Sequence, residues 1–375
     1  MILNDELKGL KELVARFAAG RIATRSDLHL SMDFPPELRE AMSRENLFGI
    51  GIPVAYQGMG GGWLHMAVAG QALVENGYSL GVALSWLMHV LVSRFVFFGF
   101  GTDQQKMSHL PALAKGACTP CLAVSEPGVG GHPKHLATTA RKTGHGYRIT
   151  GEKAYLTNGP IADVYVVLAV TGKDGDRKSY SAFIVPSDTP GLRKTGPMDL
   201  GFFRPCPHGG IVLDECEVPP ENILGREGLA YQEIAMAFRL IEDVMMMAPF
   251  VGGARALISL AAASLKDGGI SPSSEVASLL GETISSVDSL EILAYEAANA
   301  LDQYHINHPG LASVSLFMRR TAGLVHQRIE EVVQKTGIRM SEPFLPLSRD
   351  IASALRIAAN VAGIRQKKLG MSLLC

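Results

Sequence analysis

The chain has 375 residues, of which 47% are apolar and 19% charged, with a formal net charge of −1. That length and composition describe a core-rich globular protein of two or three domains. The near-neutral balance, without a long block of like charge, excludes a nucleic-acid groove and a polybasic membrane anchor.

The first segment, "MILNDELKGLKELVARF", carries charges every few residues and lacks the apolar core of a signal peptide, so cytoplasm is the expected compartment. Residues 1–119 read as a helical domain. Leu7, Leu10, Leu13 and Val14 recur at helical spacing, and Pro35 and Pro36 can open another helix. "GMGGG" at 58–62 reads as a flexible break between helices and not as a dinucleotide fingerprint, since no strand precedes it.

The pattern changes near Pro120. Residues 120–225 alternate short runs rich in Val, Ile, Tyr and Thr with turns such as "KTGHG" and "TGKDGDRK", which have hairpin chemistry. A small antiparallel barrel or sandwich is expected there. From 226 to 375 the helical period returns in four long segments, at about 226–265, 274–303, 309–336 and 344–369, which suggests a four-helix bundle. The most apolar stretch, "VMMMAPFVGGARALISLAAASL", is broken by Pro249, Gly252, Gly253 and Arg255, and fits a buried helix better than a membrane span. The fold class is therefore α+β: helices, then a β domain, then a helical bundle.

The cysteines are Cys118, Cys121, Cys206, Cys216 and Cys375, an odd count that suggests reduced thiols. Cys118 and Cys121 form one C-x-x-C without a second pair at zinc spacing, and His132 and His135 have no H-E-x-x-H beside them. No metal site is expected.

The chemistry gathers on two stretches, "LAVSEPGVGGH" at 122–132 and "GEKAYLTNG" at 151–159. A glycine-rich backbone at strand ends lets a flat or phosphorylated ligand approach amide groups closely. Ser125 and Thr157 add hydroxyls, and Tyr155 offers an aromatic wall. Such residues at strand ends also serve as plain turns.

"LAVSEPGVGG", "GEKAYLTNGPIADVYVVLA" and "VPPENILGREGLAYQ", in that order and spacing, resemble the acyl-CoA dehydrogenase family. The likeness extends to "FPPELREAMSRENLFGIGIPVAYQGMGGG" and "GTDQQKMSHLPALAKG" and covers nearly the whole chain. It implies an N-terminal helical domain, a central β domain and a C-terminal four-helix bundle, with FAD as cofactor. By that resemblance Leu122, Val124, Ser125, Gly130 and Gly131 face the flavin ring, and Tyr155 takes the place of a family tryptophan. Thr157 matches the threonine at the flavin N5 edge, while Gln334, Gly337 and Asn360 fall at later cofactor positions. Gly131, Arg239 and Asp243 are assigned to the substrate side.

The implied reaction is α,β-dehydrogenation of an acyl thioester, on coenzyme A or a carrier protein. A carboxylate removes the α-proton and the β-hydrogen leaves as hydride. Such a base works from a desolvated site, which raises its pKa toward working pH. Most members carry the base late in the chain, shortly after an arginine–aspartate pair. Arg349 and Asp350 are present here, but the aligned base position is Ala358. The isovaleryl-type members place it on the first long bundle helix, where Glu242 stands. Helical spacing puts Glu242 in line with Phe238, Met245 and Met246, on an apolar stripe, whereas Asp243 has Arg239 at i−4 as a plausible ion-pair partner. Both carboxylates also admit a bland reading as solvated surface groups.

Other positions depart from the family. Asp243 replaces an arginine, Gly131 and His132 replace a serine–aspartate pair, and "LKDGGISPSSE" lacks the arginine and phenylalanine that grip the FAD pyrophosphate across a subunit interface. Lys266, beside Asp267, or a moved Arg319 or Arg320 is left to serve. The resemblance implies an electron-transfer flavoprotein as acceptor, a homodimer or homotetramer, and a place in fatty acid metabolism. Two other readings stand beside it: a site-completing or non-catalytic subunit of a heteromer with a homologous chain, and a same-fold monooxygenase or nitroalkane oxidase.

Overall fold

The computed structural model describes residues 3–357, 359–372 and 374, with the side chain of Asn360 outside that set. Five helices come first: α1 (Asp5–Arg21), α2 (Pro36–Arg44), α3 (Trp63–Gly77), α4 (Leu80–Leu91) and α5 (Asp103–Ala114). Their starts are encoded locally. The Asn4 side chain accepts from Leu7 N at 2.9 Å, with Asp5 and Glu6 in the first turn of α1, and Pro36 occupies the first turn of α2. Thr102 and Gln105 form a reciprocal capping box on α5.

Eight strands follow: β1 (Pro120–Ala123), β2 (Thr139–Thr143), β3 (Gly146–Thr157), β4 (Val164–Asp174), β5 (Arg177–Pro186), β6 (Leu192–Lys194), β7 (His208–Val218) and β8 (Ile223–Leu224). The helical remainder is α6 (Met236–Met245), α7 (Met247–Asp267), α8 (Ser274–Tyr304), α9 (Leu311–Thr336), α10 (Phe344–Arg356) and α11 (Ala359–Met371). The expected segment at 344–369 is thus two helices, α10 and α11.

The chain divides into two compact units: Ser31–Gly62 with Leu84–Arg239, and Met1–Leu30 with Trp63–Ala83 and Leu240–Cys375. The N-terminal helices contribute to both.

The first unit is built on one sheet of order β6-β7-β3-β2-β4-β5-β8, with β1 added beside β4. The expectation of an antiparallel module needs correction, because the sheet is mixed. β1 runs parallel to β4, with Pro120 opposite Val164, and β2 meets β4 in parallel at Thr139 and Val170. The two expected hairpins form with two-residue turns, Thr143 opposite Gly146 and Asp174 opposite Arg177, and Gly175 takes the left-handed conformation that such a turn needs. Cys121, Tyr147, Ile149, Tyr165, Val167, Phe183 and Ile211 fill the core. The "GMGGG" stretch is tied down rather than loose: Met59 N donates to Gly49 O at 2.8 Å and Gly60 N to Ile52 O at 2.8 Å.

In the second unit α3 packs along both α1 and α7. Gly252 and Gly253 allow this approach. A Cβ at Gly252 would stand 2.4 Å from the Gln71 carbonyl oxygen on α3, and one at Gly253 would stand 2.7 Å from Ile351 Cδ1 on α10. Among the described residues two helical runs, Leu80–Phe98 and Tyr231–Asp267, are long and apolar enough to span a bilayer. Their most apolar windows are 83% and 67% buried in the fold, as those of core helices are.

Candidate functional site

The first loop leaves the end of β1 and closes on itself. Glu126 and Gly130 exchange two backbone hydrogen bonds of 3.0 Å, a tight turn that Gly128 and Gly130 complete with positive φ. The Glu126 side chain then turns inward. Its carboxylate accepts from Ala137 N at 2.7 Å, Thr138 N at 2.9 Å and the Lys153 ammonium at 2.9 Å. Lys153 also donates to the Val124 carbonyl at 3.1 Å and is fully buried. Burial alone would raise the Glu126 carboxyl, but the Lys153 charge and the amide donors outweigh it and hold the group below its ordinary value. Burial pushes Lys153 down, against the pull of Glu126.

This buried pair fastens the first loop to β3, and a backbone bond from Ala154 N to Ser125 O at 2.9 Å adds to it. The two stretches singled out in the sequence are therefore neighbours. A bulge in β3 between Lys153 and Leu156 disturbs the register with β7, and Tyr155 sits in it with a φ of 59°. A tyrosine in that region is strained and is held by its surroundings. Its side chain is 53% exposed.

Leu122, Val124, Ser125, Gly130, Gly131 and Thr157 are all half-buried, and Ser125 Oγ makes no hydrogen bond among the described residues. Thr157 is held on both sides of its peptide. Cys121 Sγ donates to its carbonyl at 3.4 Å, and the next residue, Asn158, donates from N to Pro207 O at 2.8 Å. The thiols of Cys118 and Cys121 are pushed up to about 11 and about 12 by burial, so both stay protonated at neutral pH.

Gly131 collects further groups. Tyr231 donates its hydroxyl to Gly131 O at 3.1 Å. A Cβ at Gly131 would stand 3.0 Å from Arg239 Nη2 and 3.8 Å from Ser125 Oγ. This corrects the expected Arg239–Asp243 pairing: the Arg239 guanidinium lies beside the first loop, and Asp243 is ion-paired with Arg365 on α11. The helix carrying these residues opens with a π-helical turn at Tyr231–Ala235, a wide turn often found next to functional sites.

Glu242, Asp243, Gln334 and Gly337 belong to the helical unit. Glu242 is half-buried on α6, between the core residues Ile241 and Met245. Along its expected stripe Phe238 and Met245 are buried and Met246 is half-buried. Gln334 and Gly337 are exposed, and Gly337, with a φ of 65°, closes the end of α9 by donating to the carbonyls of Val333 and Gln334. Ala358 and the Asn360 side chain lie outside the described residues. Arg319 is committed to the end of α10, where it donates to the carbonyls of Ala354, Leu355 and Ile357.

Sequence reasoning missed Glu126, Lys153, His208, Tyr231 and Arg365. Glu126 and Lys153 had a visible cue: Lys153 is the one lysine in the two quoted stretches, on a strand, and Glu126 is the one acidic residue of the first stretch.

Two family models match, the acyl-CoA dehydrogenase N-terminal domain over residues 4–117 and the acyl-CoA dehydrogenase middle domain over residues 121–216. An acyl-CoA dehydrogenase of Bacillus subtilis is 32% identical over 265 residues, covering 69% of this chain and 68% of that protein. The chain belongs to the acyl-CoA dehydrogenase family. The family is one of FAD-dependent oxidoreductases that act on CH–CH bonds. A probable acyl-CoA dehydrogenase of the same bacterium is 36% identical over 227 residues, 60% of this chain, and the match spans 59% of that relative's length. The mitochondrial isovaleryl-CoA dehydrogenase of Oryza sativa subsp. japonica is 27% identical over 381 residues, covering 100% of this chain and 92% of the relative. Among solved structures, butyryl-CoA dehydrogenase from Megasphaera elsdenii matches with a TM-score of 0.88 at 24% identity, over 100% of both chains. That likeness establishes the shared fold.

In this acyl-CoA dehydrogenase family member the first loop and β3 carry groups of the kind a flat ring such as that of FAD needs: Tyr155 presents an exposed aromatic face, and Ser125 a hydroxyl that makes no hydrogen bond among the described residues. The loop glycines Gly128 and Gly130 have no atom within 4 Å of a would-be Cβ, leaving open space above their backbone.

Proposed function

We propose that the protein oxidises an acyl thioester, on coenzyme A or a carrier protein, to its α,β-unsaturated product, with Glu242 as the base. FAD, when bound, supplies the hydride acceptor for the hydrogen leaving Cβ. Glu242 takes the proton from Cα onto its carboxylate. The half-buried position between Ile241 and Met245 limits water around that carboxylate. Leu122, Val124, Ser125, Gly130, Gly131, Tyr155 and Thr157 hold the ring, and Thr157 lies at its N5 edge. Gly131 and Arg239 face the substrate. Asp243 acts through its ion pair with Arg365, which ties α6 to α11. In this reading Gln334, Gly337 and Asn360 contribute to the remainder of the cofactor site. The partners are the thioester and an electron-transfer flavoprotein, with the chain in a homodimer or homotetramer.

The observation that carries the reading is Arg239. Its guanidinium lies beside Gly131 of the first loop, next to Ser125 and the Tyr231 hydroxyl. The test is the absorbance of the FAD-loaded chain against a panel of acyl-CoAs. At least one member should bleach the flavin band, and Glu242→Gln should keep the band but lose substrate-dependent bleaching by several orders of magnitude. Bleaching at the parental rate in the variant removes Glu242 from the chemistry, and no bleaching with any acyl-CoA or acyl-carrier substrate defeats the reading.

A second reading, a subunit that completes the site of a homologous partner, is favoured by one observation. Arg319, a candidate replacement for the missing pyrophosphate arginine, is spent on the end of α10.

A further inference from the structure

His208 stands opposite Thr157 in the β3–β7 ladder, and its Nε2 lies 3.2 Å from Thr157 Oγ1. Its other ring nitrogen, Nδ1, is 3.0 Å from the carbonyl oxygen of Cys206. A carbonyl oxygen only accepts, so Nδ1 carries the proton. The ring is 7% exposed, and burial lowers its pKa even against the Cys206 bond, so the neutral imidazole prevails. In that tautomer Nε2 has a lone pair and no hydrogen. The proton between Nε2 and Oγ1 therefore belongs to the Thr157 hydroxyl, which donates to His208.

We propose that His208 is a positioning residue that fixes the polarity of the Thr157 hydroxyl, leaving it an acceptor only toward the flavin N5 edge. The inference rests on the assignment of Thr157 to that edge. A hydroxyl has one donor hydrogen and two acceptor lone pairs. With the hydrogen spent on His208, Thr157 has nothing to give the unprotonated N5 of the oxidised ring, and has a lone pair for the hydrogen that N5 carries once the ring is reduced. His208 thereby favours the reduced ring and raises the two-electron potential. The peptide bonds of Thr157 and Asn158 described above hold the hydroxyl at one place. Asn158 adds further restraint, exchanging side-chain hydrogen bonds of 2.6 and 2.8 Å with Ser85.

The experiment has two arms. Nitrogen-15 NMR of the histidine-labelled chain reads the tautomer without any flavin. Nδ1–H is expected for His208, and an Nε2–H ring or a charged ring overturns the inference. Potentiometry of the FAD-loaded chain then compares parent, His208→Leu, Thr157→Val and the double variant. Each single variant should move the equilibrium about ten-fold toward oxidised flavin, or ~30 mV for a two-electron couple. The double variant should move it no further than Thr157→Val alone, since the imidazole acts only through the hydroxyl. Unchanged potential in His208→Leu, or additive shifts, overturns the role of His208 while the flavin site stands. A chain that takes up no FAD, alone or with a homologous subunit added, overturns the flavin site itself, and this role with it. Should His208→Leu fail to fold, the NMR arm and Thr157→Val still decide, because a potential unmoved by loss of the hydroxyl also defeats the inference.

Discussion

The Lys153–Glu126 pair shows what one residue can hold in place. Two opposite charges removed from water are stable only when every remaining hydrogen-bonding position is filled, and here the carboxylate also accepts two amide hydrogens while the ammonium also meets a carbonyl. Lys153→Met keeps much of the volume and strands the carboxylate. It is expected to cost about 3–5 kcal/mol, read as a lowered urea midpoint, and to loosen the first loop from β3. A loss under ~1 kcal/mol would show that the pair does not fasten the loop. At this scale the sequence revealed residue types but not their partners. Ser125, Gly131 and Thr157 could be picked out because glycine and hydroxyl groups at strand ends suit a ligand. Tyr155 could be picked out as an aromatic, yet its left-handed backbone depends on a bulge against β7, some fifty residues away in the chain. The Arg239–Asp243 pairing followed helix spacing correctly and failed because Asp243 pairs with Arg365 of α11 while the Arg239 guanidinium lies beside Gly131.

Local elements were the most legible. Two-residue hairpin turns write themselves as glycine beside polar residues, and the start of α2 as Pro35 and Pro36. The parallel pairing of β1 with β4 left no such mark, since it joins Pro120 to Val164 across two intervening strands. The break between α10 and α11 was hidden because the apolar period continues through it. Glycines within helices read alike in sequence but not in space, and this gives an opposed pair of predictions. Gly281 lies exposed in α8 with nothing within 4 Å of a would-be Cβ, so Gly281→Ala should stabilise by ~0.4–1 kcal/mol. At Gly252 the same methyl meets the Gln71 backbone oxygen at 2.4 Å, and a carbonyl in a packed helix cannot swing aside. Overpacking of that kind costs about 1–3 kcal/mol, enough to exceed the gain in helix propensity. Thermal unfolding of the two variants should therefore move in opposite directions. A stabilised Gly252→Ala would mean that α3 and α7 have room to part.

On the scale of the whole molecule, the order helices, sheet, helices was readable from period alone, whereas the division of the N-terminal helices between two units was not, because it depends on which apolar faces meet. In the proposed reading the ring half of the cofactor site is written in one continuous region of sequence, but the pyrophosphate half must be assembled from separate positions. A pyrophosphate is held against water by charge-assisted, often bidentate, arginine contacts. The stretch 265–275 has no arginine, and Lys266, exposed at the end of α7, is followed directly by Asp267. Arg319 already satisfies three carbonyls at the end of α10, so only Arg320, exposed on α9, remains of the two replacements considered. Losing one charge-assisted bond costs about 1.5–3 kcal/mol, or roughly ten- to a hundred-fold in affinity. The chain purified alone is therefore expected to shed FAD on dilution and gel filtration, and in the second reading it regains FAD when a homologous subunit with the arginine is added. Flavin occupancy and solution mass, measured on the same fractions, check this directly. A stable homo-oligomer holding one FAD per chain through gel filtration would sink the expectation. If Arg320→Ala then released that FAD, the moved arginine would be identified as the group that replaces the partner's.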